Sequence, residues 1–494
     1  MLSRKLKITT MVALGLILSF GVFTNNLVVF AKDTSKGIQD IIVERIPNNN
    51  KGTRFDTAAA ISRKGWPNGS STAILVTGYD YPDALSATPL AKKYNAPILL
   101  TNVDKIPEVT LNELRSLKVK KIILVGGQGV ISSNVEDQLK KEFRKVERID
   151  GKDRFETSIN VAKKIGADKG IVVTYGFNYV DALSVAPIAA SEGMPIILTP
   201  TNEIKDSVDR FLQDQFVPKS YIIGGVGVIN NETMNKFDNP TRIGGQDRFE
   251  TNVNILKAFE KNINYDKVYV ATAMDYPDAL AGSSLASLTE SPLILTRSNS
   301  VENVTLNFAK RKMSKEIYGL GGSAVVNDKV LQTLSESMKP GILATVENKT
   351  INVKLNSDVN LPDVVEGTLQ DGRKKDIKVK WDENYIDTSE VGTKTYEGIA
   401  GGKLVTLTVN ISNGIIEPED IYVEITKGDK YTLPKFISVS MADGSIKDVN
   451  VKWNGTIDIN KPGTQEITGV LEEENIKVKL ILKVRDQFKV IDIK

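Results

Sequence analysis

The chain of 494 residues contains neither cysteine nor histidine. Without cysteine no disulfide can brace its domains, so their stability must come from hydrophobic cores. Without histidine the Ser-His-Asp triad, the Cys-His dyad and every histidine-based zinc site are excluded, which leaves carboxylates as the remaining candidates for acid–base or metal chemistry. A dominant sign of charge is also missing. Residues 1–31 carry 3 basic and no acidic side chains, residues 32–340 carry 40 and 36, and residues 341–494 carry 21 and 25, giving nets of +3, +4 and −4. That polarity is too weak to indicate nucleic-acid binding, and any anion must be met by local clusters. The opening residues read as an export signal, with Arg4, Lys5 and Lys7 ahead of an apolar stretch from Met11 to Phe23 and a cleavage point after Ala31. Asn25 and Asn26 interrupt the apolar stretch, which is short for a bilayer span. The mature chain, from Lys32, is expected outside the cell and without a membrane span.

What is present is repetition. An Arg-Phe-acid-Thr phrase occurs at Arg54, Arg154 and Arg248, 100 and 94 residues apart. An Asp-Ala-Leu phrase follows at Asp83, Asp181 and Asp278, 98 and 97 apart. A short apolar run then closes on paired glycines, at Gly126-Gly127, Gly224-Gly225 and Gly321-Gly322. Three phrases in one order at one spacing mean three copies of a folding unit. A triplicated unit presents a surface three times, so multivalent binding is the leading functional idea.

Within each copy, short continuous apolar runs such as Ala73–Thr77, Pro97–Thr101 and Lys121–Val125 alternate with helical patterns such as Val109–Leu117 and Val135–Phe143. Buried strands alternating with amphipathic helices predict an α/β unit whose parallel sheet is covered on both faces. The copies are expected at 40–140, 141–237 and 238–335. Capping boxes are predicted at Thr53 with Asp56, Asp153 with Glu156, Asp247 with Glu250, and Ser133 with Glu136. Pro82 and Pro277 suit a first helical position, placing Asp83 and Asp278 in a first turn where the helix dipole favours an acid.

Beyond Lys339-Pro340-Gly341 these phrases stop and alternating β-branched segments begin. Leu361-Pro362, Asp371-Gly372 and Lys380-Trp381 recur 72 residues on as Leu433-Pro434, Asp443-Gly444 and Lys452-Trp453. Two small all-β sandwiches are expected, at 342–413 and 414–486, each anchored by one tryptophan and joined near Pro418.

Arg54, Arg154 and Arg248 are the candidate ligand-binding residues. At a first helical position the dipole disfavours a cation, so something negative should lie nearby. One reading supplies it internally, from the aspartate of the same or the adjacent copy. The other supplies it externally, as a phosphate or carboxylate held by the guanidinium and the helix N–H groups. Asp83, Asp181 and Asp278 are read as structural, as are Gly126, Gly127, Gly224, Gly225, Gly321 and Gly322. The glycines lack the full G-x-G-x-x-G pattern and fit a tight strand-to-helix turn. Tyr79, Tyr81, Phe177, Tyr179 and Tyr276 fall in strand-to-helix loops, suited either to stacking on a sugar or to half-burial. A glycosidase pair among Asp80, Asp83, Asp275 and Asp278 is disfavoured, because Asn178 replaces the first acid in copy two and the acids recur as structural parts do. No catalytic residue, cofactor or metal is expected.

The phrases of residues 40 to 335 resemble the type 2 cell-wall-binding repeats carried in tandem triplets by surface proteins of clostridia and related Gram-positive bacteria. The resemblance implies a three-lobed module of pseudo-threefold symmetry, attached noncovalently to an anionic wall polysaccharide or teichoic-acid-like polymer. Arg54, Arg154 and Arg248 match that family's arginine, and Asp83, Asp181 and Asp278 its aspartate. Lys51-Gly52-Thr53 in copy one and Val180 in copy two depart from the other copies, which makes unequal sites an expectation. The tail resembles paired bacterial immunoglobulin-like domains, acting as spacers or as contacts with other surface proteins. The expected protein is thus a wall-anchored surface protein and not an enzyme; a wall amidase or its accessory subunit, and a surface-layer subunit, are the alternatives.

Overall fold

In a computed structural model of the chain, residues 40–47, 52–416, 418–472, 474 and 486 back to 476 are described. The expected export signal lies outside them. Among the described residues no helix is long and apolar enough to cross a membrane.

Strand β1 (Ile42–Ile46) precedes the first copy, which runs α1 (Arg54–Gly65), β2 (Thr72–Thr77), a 3-10 turn (Asp83–Ser86), α2 (Ala87–Lys93), β3 (Ile98–Thr101), α3 (Glu108–Ser116), β4 (Lys121–Val125) and α4 (Ser133–Glu142). After β5 (Lys145–Ile149) the second copy follows as α5 (Arg154–Ile165), β6 (Ile171–Tyr175), α6 (Val180–Ser191), β7 (Ile196–Thr199), α7 (Asp206–Asp214), β8 (Ser220–Ile223) and α8 (Asn231–Met234). After β9 (Pro240–Ile243) the third follows as α9 (Arg248–Ala258), β10 (Lys267–Thr272), α10 (Pro277–Leu288), β11 (Leu293–Thr296), α11 (Asn303–Arg311), β12 (Glu316–Leu320) and α12 (Asp328–Ser337).

Each copy builds a four-stranded parallel sheet, in the orders β3-β2-β4-β5, β7-β6-β8-β9 and β1-β12-β10-β11. The central strands are buried along most of their length, which is why they read as continuous apolar runs. The fourth strand of every sheet directly precedes the next copy's first helix. For the third sheet that strand is β1, from the start of the module, in register from Ile42 opposite Glu316 to Ile46 opposite Leu320. The three copies therefore close on themselves.

At the centre, α2, α6 and α10 pack on one another. All three are apolar around most of their circumference, as befits helices buried on every side. Small residues let them approach: Thr88 and Ser283 hydroxyls meet at 2.6 Å, and Lys92 donates to the Ser287 carbonyl at 2.6 Å. One hydrophobic core runs through all three copies, from Ile74 and Leu90 through Val185 and Leu198 to Leu280 and Leu320.

The caps follow the sequence with two adjustments. Thr53 and Asp56 form the reciprocal box. Asp153 and Asp247 accept from the backbone of Glu156 and Glu250, but those glutamates bond one residue further back, to the N–H of Lys152 and Gln246. Gly151 and Gly245 permit this, since a Cβ on either would meet helix backbone or side-chain atoms at 2.5–2.6 Å. The predicted Ser133 cap is corrected: Ser133 is the first residue of α4, the cap position is Ser132, and its side chain makes no capping bond. Pro277 opens α10, whereas Pro82 stands one residue ahead of the 3-10 turn.

The tail forms two β domains. The first comprises β13 (Leu343–Val346), β14 (Lys349–Lys354), β15 (Val364–Leu369), β16 (Lys374–Trp381), β17 (Gly392–Ala400) and β18 (Lys403–Ser412), ordered β13-β15-β16-β17-β18-β14. The second comprises β19 (Ile421–Thr426), β20 (Phe436–Ser440), β21 (Ile446–Trp453), β22 (Gly463–Leu471) and β23 (Lys477–Arg485), ordered β19-β23-β22-β21-β20. Strand β16 pairs with β15 near its start and with β17 near its end, so it serves two sheets; β21 does the same between β20 and β22. Trp381 and Trp453 each pack between two apolar clusters and donate Nε1–H to the carbonyl of Pro362 (2.7 Å) and Pro434 (2.8 Å). That bond explains why Leu-Pro and Lys-Trp recur together.

The first β domain is locked to the third copy by a half-buried ionic cluster. Asp376 accepts from Arg311 (2.7 Å) and Lys312 (2.9 Å), and Lys312 also pairs with Glu260 (2.8 Å). Lys375, fully buried, donates to the carbonyls of Lys312 (2.7 Å) and Ser337 (2.8 Å), and burial pushes its pKa down to about 8.

Candidate functional site

In each sheet the chain steps from β2, β6 or β10 outward to one neighbour (β3, β7 or β11) and then back across to the other (β4, β8 or β12). The strand order therefore reverses between β2 and β4, between β6 and β8, and between β10 and β12. Open α/β sheets leave a crevice at such a point, outside the carboxyl ends of the strands. The recurring phrases all converge there.

Asp83 follows β2 and Gly126 follows β4, and the two meet. A Cβ on Gly126 would lie 3.1 Å from Asp83 Oδ2; the corresponding distances are 2.7 Å for Gly224 with Asp181 and 2.1 Å for Gly321 with Asp278. These three glycines have φ of +124°, +108° and +92°, a left-handed conformation that L side chains resist. The first glycine of each pair thus turns the chain and makes room for a carboxylate. Gly127 has open space beside it, and its backbone lies close enough to Asp83 to favour the charged carboxylate.

The opposite wall comes from the following copy. The Thr157 hydroxyl and Arg154 both lie close enough to Asp83 to favour its charged form. Arg248 acts on Asp181 in the same way. Asp278 feels both the Thr57 hydroxyl and Arg54, so the third aspartate faces the first copy. Of the two internal partners considered for the arginines, same copy or adjacent copy, the carboxylate comes from the adjacent copy, in cyclic order. Burial is the largest influence on all three acids and raises each pKa, that of Asp278 to about 6.

The arginines occupy the first helical position, as expected. All three are half-buried. Arg54 donates to the Gly78 carbonyl, Arg154 to that of Gly176 at 2.9 Å, and Arg248 to that of Ala273 at 2.8 Å. Among the described residues none of the three has a carboxylate within 4.0 Å. Each guanidinium is therefore fixed in direction by one neutral acceptor and faces the crevice without a direct ion pair among the described residues.

The loop aromatics divide into two groups. Tyr81, Tyr179 and Tyr276 meet around the centre, with ring centroids 5.4, 5.6 and 5.7 Å apart. Their hydroxyls reach the next copy in turn: Tyr81 to Phe177 O (2.9 Å), Tyr179 to Ala273 O (3.5 Å) and Tyr276 to Gly78 O (2.9 Å). This trio registers the lobes. Tyr79 and Phe177 instead face outward at the crevice rim.

A second arginine series escaped the reading of the sequence. Arg45, Arg148 and Arg242, on β1, β5 and β9, donate to the carbonyls of Gly321 (2.9 Å), Gly126 (2.6 Å) and Gly224 (2.9 Å). They hold the glycine turns in place. Their own spacing of 103 and 94 residues, each immediately before Ile46, Ile149 or Ile243, was the available signal.

The family model for cell wall binding domain 2 (CWB2) matches residues 52–136, 148–234 and 242–331, more than half of the chain. The chain belongs to the CWB2 family. A model for the bacterial Ig-like domain, group 4, matches 346–402 and 418–473, the two β domains. The chain is 33% identical over 380 residues to N-acetylmuramoyl-L-alanine amidase LytC of Bacillus subtilis, covering 72% of this chain and 73% of that protein. It is 34% identical over 310 residues to the amidase enhancer of the same bacterium, covering 62% of this chain and 41% of the enhancer. Among solved structures it resembles Cwp6 from Clostridium difficile (26% identity, TM-score 0.57, 72% of this chain and 57% of that one). It also resembles Cwp8 from Clostridium difficile (26% identity, TM-score 0.54, 60% and 52%). The chain spans little more than half of those two structures and less than half of the enhancer. The three closed α/β lobes are thus a CWB2 module, a cell-wall-binding unit followed by two Ig-like domains.

Proposed function

We propose that the chain is a secreted surface protein held noncovalently on a Gram-positive wall, its CWB2 module gripping an anionic wall polymer at three inter-repeat crevices. The Ig-like domains serve as spacers or as contacts with other surface molecules. The observation that carries this reading is the state of Arg54, Arg154 and Arg248: oriented by a neutral carbonyl, half-exposed, and without an ion pair among the described residues. A polymer repeats its charge along its length, so three modest sites on one closed body retain it by effective concentration.

A wall-hydrolase reading draws on the similarity to the amidase. It fits less well, because the sequence has no histidine and no group of acids suited to a metal occurs among the described residues. Retention of the full chain on isolated walls, before and after chemical removal of the anionic polymer and across a salt series, tests the proposal. The expected result is loss of binding on stripped walls and at high salt. Undiminished binding to stripped walls in high salt refutes it.

A further inference from the structure

The second β domain repeats the first with one strand fewer. In the first, β13 covers the outer side of β15, with Val346 opposite Gly367 and the Glu347 N–H bonded to the Glu366 carbonyl at 2.8 Å. At the 72-residue repeat, β20 stands where β15 does and Pro418 where Val346 does. Proline has no N–H to give a ladder, and the covering strand is missing. β20 ends its sheet, and among the described residues only Ile416 bonds to its outer side, through the Ser440 carbonyl at 2.9 Å. Lys435 and Met441 bond inward to the β21 side (2.9 and 2.8 Å), so the alternation of an antiparallel pair turns the N–H groups of Phe436 and Ser438 outward. A cavity of about 640 Å³ opens along this edge, lined in part by Ile416, Ile421, Ile437 and Val439.

Natural proteins blunt an open edge with charge, proline, a bulge or a cover. The other edges of the tail follow that rule. β13 is short and its register is broken, β14 carries Lys349 and Lys354, and β19 carries Glu424, paired with Lys483 and Arg485. β20 has no charge, no proline and no bulge. The face it shares with β21 departs from the first domain as well. There the matching face is locked to the third copy, and Glu366 and Lys374 give it charge. In the second domain those two positions are Ser438 and Ile446, and Phe436 replaces Val364. Ile446 is 76% exposed and Phe436 56%.

We infer that β20 is a self-pairing edge, at which a second copy of the chain adds its own β20 antiparallel about a twofold axis at Ser438. The strand is self-complementary in that register. Each Ser438 exchanges both of its backbone bonds with its counterpart, and the outward groups of Phe436 meet those of Ser440 in the other copy. Within one copy Ser440 lies opposite Ile446. The incoming Phe436 ring therefore sits beside a small side chain and reaches over it to Ile446, so one symmetric operation covers both exposed apolar residues. An unrelated extended partner accounts for the open edge but not for the equal spacing of Phe436 and the Ser440–Ile446 pair about Ser438. The first β domain joins at the Ser440 end, where Asn356 donates to the Ala442 carbonyl at 3.3 Å, so antiparallel pairing sends the two first β domains to opposite ends of the joined sheet.

The test is sedimentation equilibrium of the full chain across roughly 1–500 µM, the range in which an interface of one short strand associates, read beside amide exchange at Phe436 and Ser438. The expected result is a monomer–dimer equilibrium, with exchange at those amides slowing as concentration rises. Ile446→Lys gives the second domain the side chain that the first carries at Lys374, enters the interface twice, and should weaken association roughly tenfold. Ser438→Pro removes the outward N–H at the axis and should weaken it at least as much. Because the chain has no cysteine, Ser438→Cys supplies a single thiol at the axis, and a short bismaleimide should join two such chains; Asn384→Cys, exposed in the first domain, should stay unlinked. A monomer at every concentration overturns the inference and leaves the edge to a partner of another kind. A dimer that neither Ile446→Lys nor Ser438→Pro weakens also overturns it, as does slow exchange at Phe436 and Ser438 that is independent of concentration, the mark of an edge covered from within one chain.

Discussion

Asp278 offers the sharpest energetic prediction, because its environment can be separated from the rest of the molecule by one substitution. Its carboxyl is pressed against Gly321 and is raised from 3.8 to about 6, chiefly by burial, with Asp275 adding to the rise and Thr57 and Arg54 opposing it. A carboxyl with a higher pKa folded than unfolded binds its proton more tightly when folded. Its contribution to stability is fully present below pH 3.8 and is lost as pH climbs through 6. A rise of that size corresponds to roughly 3 kcal/mol. Asp278→Asn keeps the shape and removes the ionisation, so the variant lacks this decline. Urea unfolding of the full chain at several pH values from 4 to 7 should show the unmutated protein losing roughly 2–3 kcal/mol relative to the variant, mostly between pH 4 and 6. Carboxylates held low by partners, such as Asp56 with Thr53 and Glu136 with Lys140 and Arg148, slope the opposite way but do so equally in both proteins. Parallel stability curves would refute the placement of a strained carboxylate at this crevice.

Two further predictions concern the glycine turns at the crevices and the junction with the first β domain. Gly321→Ala puts a Cβ 2.1 Å from Asp278 Oδ2 at a φ of +92° and should cost roughly 2 kcal/mol or more, whereas Gly127→Ala, with nothing within 4 Å, should stay within about 0.5 kcal/mol by thermal denaturation. Asp376→Ala strips Arg311 and Lys312 of their shared acceptor and leaves the nearly buried Lys312 with Glu260 alone. It should destabilise the junction by roughly 3 kcal/mol, seen as faster protease cleavage near Lys339 to Gly341.

Much of this architecture is written locally, and what is local was legible. The strands are short apolar runs, the helix starts carry acids and hydroxyls, and the three phrases keep one order, so the α/β units and the β tail follow from periodicity. The placing of Arg54, Arg154 and Arg248 at helix starts was legible for the same reason. Pairings across copies are another matter. Nothing in the stretch Ile42–Ile46 says that it completes the third sheet; that depends on the copies closing, which no local pattern encodes. The same closure sets Asp278 opposite Arg54 and gathers Tyr81, Tyr179 and Tyr276 into one cluster. Arg45, Arg148 and Arg242 were overlooked because a charged residue on an edge strand reads as solvated surface until its carbonyl partner is seen. Tyr79 and Tyr81 are two residues apart, yet one faces solvent and the other the centre, a distinction that only the loop geometry supplies.

The most direct measurement of the central claim is retention on isolated Gram-positive walls of the full chain carrying Arg→Ala at positions 54, 154 and 248 singly, in pairs and all together, at low and moderate salt. Three cooperating sites on one body predict that each single change weakens retention modestly, that each pair weakens it far more than one change does, and that the triple variant washes off with the salt dependence gone. A triple variant that folds and stays on the wall as firmly as the unmutated protein would contradict the account.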